Sequence, residues 1–124
     1  LFRTLYNPKF DLIVQINKKM LSERGFVRWF ISKLFTFLLN FFTNKKIFYH
    51  NGLQIHKSKF IKKIKIKENH YCFQAEILLK SMKYYRNIKY IDLQSQSRDY
   101  GFSKAFGLRN ILSTLIFIFN SRSL

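Results

Sequence analysis

The segment Phe26–Phe42, FVRWFISKLFTFLLNFF, constrains the fold more than any other stretch of this chain. Its polar residues Arg28, Ser32, Thr36 and Asn40 recur at intervals of four. That interval draws one narrow polar stripe on an otherwise apolar helix. Two surroundings suit such a helix: the middle of a large core, or a membrane interface. A chain of 124 residues forms one domain with a modest core. Trp29 among so many phenylalanines suits the interface, where apolar rings enter the lipid boundary. The interfacial placement is the one expected here.

A second segment, Ala105–Asn120, repeats the theme. Phe106, Leu108, Ile111, Leu112, Leu115, Ile116 and Phe119 give a broad apolar face, with Gly107 costing about 1 kcal/mol relative to alanine. The longest apolar run, Ile111 to Asn120, is interrupted by Ser113 and Thr114 and falls short of the roughly 20 residues a spanning helix needs. The N-terminal residues lack the continuous apolar core of a secretory signal.

Between these segments lies Tyr71–Lys104. From Gln74 to Tyr85, Ala75, Leu78, Leu79 and Met82 follow the spacing of a one-sided helix, with Glu76 near its start and off the apolar stripe. Ile88 to Ser97 reads as a strand with Ile91, Leu93 and Ser95 on one face. The strand leads into Arg98-Asp99-Tyr100-Gly101-Phe102-Ser103-Lys104. Two cations, a hydroxyl and a glycine in one turn suit a phosphate group.

This order resembles the acceptor half of family-2 glycosyltransferases with the GT-A fold, and in particular the polyprenol-phosphate mannosyl- and glucosyltransferases. Phe73-Gln74-Ala75-Glu76-Ile77-Leu78 is similar to the family's Phe-Gln-x-Glu-x-Leu helix, and Arg98–Lys104 to its Arg-x-x-Gly-x-Ser-Lys turn. Phe10–Val14 resembles the family's Asp-hydrophobic-Val strand, although Gln15-Ile16-Asn17 stands where Gly-Ser-Arg is usual, leaving Lys18 or Lys19 to supply that charge. Arg24–Ser32 is similar to the Arg-x-x-x-Ser entry of the membrane-facing helix, and Asn51-Gly52-Leu53 to the Asn-Gly turn before a basic hairpin.

The resemblance implies an α/β fold, the C-terminal half of a GT-A (Rossmann-like) domain spanning residues 1–124, with amphipathic interfacial helices near 26–42 and 105–120. The implied parent enzyme moves a sugar from a nucleotide sugar to polyprenyl phosphate at the cytoplasmic face of the membrane. Arg28, Ser32, Arg98, Ser103 and Lys104 would hold the acceptor phosphate. Glu76 is the nominee for a catalytic base or for fixing the acceptor arginines, the base role gaining weight if the acceptor is a glycan hydroxyl. The family's divalent metal, Mg²⁺ or Mn²⁺, sits on an Asp-x-Asp motif. The six acidic residues here include no such pair. The expectation is therefore an acceptor-side piece that binds no donor or metal alone and needs the N-terminal half of the enzyme.

Composition bounds the partners. With 23 Lys+Arg against 6 Asp+Glu, the formal net charge is +17, which favours nucleic acid, anionic lipid or phosphorylated substrate. A non-enzymatic basic module binding membrane or nucleic acid is the competing class, but no nucleic-acid-binding signature is present. His56–Lys67 carries six lysines, with Ile64–Lys67 reading as a half-buried strand and its lysines either solvated or set against anionic lipid. Cys72, the only cysteine, reads as a small buried apolar residue. His50, His56 and His70 have no metal-ligand spacing and read as surface or loop residues.

Overall fold

The computed structural model describes residues 9–19, 21–22, 25–48, 52–93 and 107–124. These form a mixed α/β structure around a three-stranded sheet of order β2-β1-β3. Strand β1 (Leu12–Ile16) is central because its start is apolar on both faces, and Leu12, Ile13 and Val14 are all buried. Strand β2 (Gln54–His56) pairs with it antiparallel, placing Leu12 opposite His56 and Val14 opposite Gln54. Strand β3 (Ile88–Asp92) pairs parallel, with Leu12 opposite Ile88 and Ile16 opposite Asp92.

A parallel pair needs a long crossover. Here it carries helix α1 (Phe26–Thr43), β2, a short helix α2 (Ser58–Ile61) and helix α3 (Phe73–Ser81). Helix α4 (Leu108–Asn120) follows, ending in a 3-10 turn at Ser121–Ser123. The core joins Leu12 and Val14 to Leu39 of α1, Ala75, Leu78 and Leu79 of α3, and Phe117 and Ile118 of α4, with Ile47, Cys72 and Tyr85 from the connections. Helices α1 and α4 lie side by side, with the Phe42 and Phe119 rings edge to face at 5.5 Å. The burial of Cys72 agrees with its apolar reading.

Three local expectations are corrected. The helix expected over 74–85 stops at Ser81, and a turn closed by Tyr84 N–H donating to the Ser81 carbonyl (2.9 Å) replaces its last residues. Gly107 does not weaken a helix interior, because α4 begins after it and Gly107 is its extended N-cap. Ile64–Lys67 forms no strand. The Lys67 amide is taken by the Glu76 carboxylate, and Ile66 is left half exposed. Strand β3 starts at Ile88 as expected; residues 94–97 of the expected strand lie outside the described residues.

Candidate functional site

In parallel α/β sheets, ligands gather beyond the carboxyl ends of the strands. Here that edge is tied by Gln15, whose amide nitrogen donates to the Leu93 carbonyl (2.9 Å) and whose carbonyl oxygen accepts from the Leu53 N–H (3.2 Å). One side chain thus fixes the exit of β3 and the approach to β2 relative to β1. Asp92, the last residue of β3, accepts from the Lys18 N–H at 3.2 Å. Lys18 and Lys19 are both exposed in the turn leaving β1, at the same edge. Arg98, Ser103 and Lys104, expected in a turn after this strand, lie outside the described residues.

Helix α1 brings the other expected acceptor pair. Gly25 precedes it with φ +79°, a conformation that L side chains rarely adopt, and the Trp29 N–H donates to the Gly25 carbonyl. Arg28 lies exposed on the first turn, and Ser32, one turn later on the same side, is partly buried. The polar stripe continues inward. Thr36 is buried, and the Asn40 side chain both donates to the Ile47 carbonyl (2.8 Å) and accepts from the Ile47 N–H (3.1 Å). Opposite it, Phe26, Phe30, Leu34, Phe37 and Phe41 are exposed.

Helix α4 repeats this inversion. Thr114, which faces Cys72 (Sγ to Oγ1 3.7 Å), and Ser113 are partly buried, while Leu108, Ile111, Leu112, Leu115, Ile116 and Phe119 are exposed. A water-facing helix packs its apolar side and shows its polar side. These two give Leu39, Phe117 and Ile118 to the core but also leave a second, wide apolar side outward.

Glu76, expected off the apolar stripe, is only 2% exposed. Its Oε1 and Oε2 accept from the Lys67 N–H (3.1 and 3.0 Å), Oε2 also from the Glu68 N–H (2.8 Å), and Oε1 pairs with Lys80 Nζ at 2.5 Å. Burial pushes this carboxyl up, but the Lys80 ammonium and the two amides outweigh it and hold the group below its ordinary value. No arginine of the described residues is among its partners. Lys80 also donates to the Lys65 carbonyl at 2.6 Å, so the pair pins residues 65–68 onto α3.

No family model, curated protein or solved structure matches the chain.

Two polar clusters escape a reading of the sequence alone. Asp11, at the foot of β1, pairs with Lys57 (2.8 Å) and accepts from the Arg86 and Asn87 amides (both 3.2 Å), chiefly Lys57 holding its carboxyl below the ordinary range. His56 is not a loose surface histidine. The Gln54 amide donates to the Gln74 carbonyl (3.1 Å), so its oxygen accepts from His56 Nε2 (3.1 Å) and the Tyr85 hydroxyl donates to Nδ1 (3.0 Å). Burial lowers the His56 value, and burial with nearby Asp11 raises the Tyr85 phenol to about 12. The one sequence signal for such roles is a polar residue inside an apolar strand, as in Gln15 of LIVQI.

Proposed function

We propose that this chain is the acceptor-binding part of a membrane-associated, GT-A-type family-2 glycosyltransferase that moves a sugar from a nucleotide sugar to polyprenyl phosphate. The observation that carries the membrane half of this reading is the outward apolar side of α1 and α4. Beyond the residues each gives to the core, both leave a wide face of Phe, Leu and Ile on the outside while Ser and Thr lie inward. Lipid covers such a surface; water does not. The chemical half rests on the resemblance of Phe73–Leu78 and Arg98–Lys104 to the family pattern.

A phosphate oxygen of the acceptor attacks the sugar carbon, and the bond to the donor diphosphate breaks with its electron pair leaving on the diphosphate. Two anions must come together for this, and fixed cations are the natural solution. Arg28, exposed at the start of α1 with Ser32 one turn on, meets a headgroup arriving from the bilayer. Arg98, Ser103 and Lys104 hold it for reaction. A phosphate acceptor is already ionised at neutral pH, so this reading gives Glu76 the role of holding the 65–68 segment rather than of a base. The resemblance assigns the metal to an Asp-x-Asp motif that this chain lacks, and no cluster of three His, Cys, Asp or Glu occurs among the described residues.

Binding of the chain to bilayers doped with polyprenyl phosphate or with the uncharged polyprenol tests the proposal. The phosphate should be strongly preferred. Arg28→Ala or Arg98→Ala should each weaken that preference about ten- to a hundredfold, as loss of one charge-assisted hydrogen bond of about 1.5–3 kcal/mol requires. Arg98→Lys should restore part of it, since lysine lacks the two-pronged geometry. Arg86→Ala should change little. Equal binding of alcohol and phosphate, or no effect in either alanine variant, overturns the assignment.

A further inference from the structure

We infer that the lysine-rich segment between β2 and α3 is an anionic-headgroup contact that acts together with the α1–α4 apolar face, giving the chain a preference for anionic bilayers. The inference rests on the membrane reading above and adds the lipid class. Three observations carry it.

First, the segment has no regular structure over residues 64–69, yet its shape is set from within. The buried Glu76 carboxylate takes the Lys67 and Glu68 amides, and Lys80 takes the Lys65 carbonyl. Second, its cations are left over. Among the described residues, Asp11 is paired with Lys57 and Glu76 with Lys80, while Lys62, Lys63, Lys65 and Lys67 are exposed with no acidic partner. A surface shaped by a buried acid, with four exposed lysines against the one half-buried acid Glu68, is complementary to a sheet of phosphates. Third, the segment is joined to α4 and carries apolar side chains of its own. It ends at Cys72, in contact with Thr114 of α4, and Ile66 and Tyr71 along it are 48% and 47% exposed. Exposed apolar side chains and lysines thus alternate along it, the composition of a segment at a headgroup layer.

Flotation with phosphatidylcholine vesicles, with and without phosphatidylglycerol, tests this on the full chain. Binding should occur to both and be stronger to the anionic vesicles, the difference shrinking with added salt. Changing Lys62, Lys63, Lys65 and Lys67 together to Gln should lower anionic binding by about a hundredfold or more, given about fivefold per surface lysine, and leave phosphatidylcholine binding as it was. An equal-charge control, Lys46, Lys83, Arg86 and Arg122 to Gln, should lower it much less. Circular dichroism on both variants keeps the comparison between folded chains.

Equal loss in both variants overturns the inference, since the attraction is then diffuse. Binding to phosphatidylcholine with no gain from phosphatidylglycerol overturns it while the membrane reading stands. Binding to neither vesicle overturns both. Loss of binding to mixed-sequence duplex DNA in the lysine variant, with vesicle binding unchanged, assigns the segment to nucleic acid instead and also overturns it.

Discussion

Glu76 illustrates what a single residue can and cannot disclose. Its position near the start of a helix was legible from spacing, and α3 carries it there. Its burial was not, because the groups that make burial tolerable, the Lys67 and Glu68 amides, come from the last residue of a segment that spacing reads as a strand and from the residue after it. Removing one partner of a buried ion pair typically costs about 3–5 kcal/mol. Glu76→Gln should therefore lower the unfolding free energy by an amount in that range, measured by denaturant titration in detergent. A loss under about 1 kcal/mol, ordinary for an exposed pair, would show that the clamp is not formed. The pH dependence has two stages with the same sign. His56 has its folded value depressed below 6.5, so its share of stability is whole above that pH and declines as pH falls toward the folded value. Asp11 and Glu76 are depressed below 3.8 and 4.5, so theirs is present above those values and lost only in stronger acid. His56→Gln should remove the upper stage and leave the lower one. An unchanged profile would assign the upper stage to another group.

At the scale of elements, the helices were more legible than the sheet. A four-residue polar interval survives any tertiary setting, so α1 runs over Phe26–Thr43 with its stripe where spacing puts it. What spacing leaves open is which side faces the protein. The structure turns the stripe inward because Asn40 answers the Ile47 backbone and Leu39, on the same side, enters the core. The sheet depends on pairings between distant segments. β2 is three residues long and carries no strand pattern of its own; it exists because β1 offers it an edge. This arrangement separates two kinds of substitution on one helix. Phe30 and Phe37 are 50% and 64% exposed, whereas Leu39 is fully buried. Leu39→Ala should cost about 2–5 kcal/mol of stability. Phe30→Ser with Phe37→Ser should cost little stability and weaken binding to phosphatidylcholine vesicles, which the lysine changes leave as it was. If the phenylalanine pair destabilises the fold as much as Leu39→Ala, that face is covered by protein, and α1 is a core helix.

At the scale of the whole molecule, the α/β class was legible from the order of helical and extended segments, while the balance between inside and outside was not. The core draws on short stretches of β1, α1, α3 and α4, yet many large apolar side chains of α1 and α4 lie outside it. Among the described residues, β2 and β3 flank β1, so each also has an outer edge. The net charge of +17 opposes self-association by repulsion between copies, but that repulsion is screened at moderate salt, whereas burial of phenylalanine and leucine is not. Contiguous apolar faces of this kind mark an interaction surface or an aggregation site. The chain should therefore associate in plain buffer, increasingly so as salt rises, and become monomeric when a non-ionic detergent covers α1 and α4. Analytical ultracentrifugation across a salt series, with and without detergent, reads both trends. A monodisperse monomer in detergent-free buffer at high salt would mean that the outward faces are satisfied within the chain itself, and the lipid reading of both helices would fall with it.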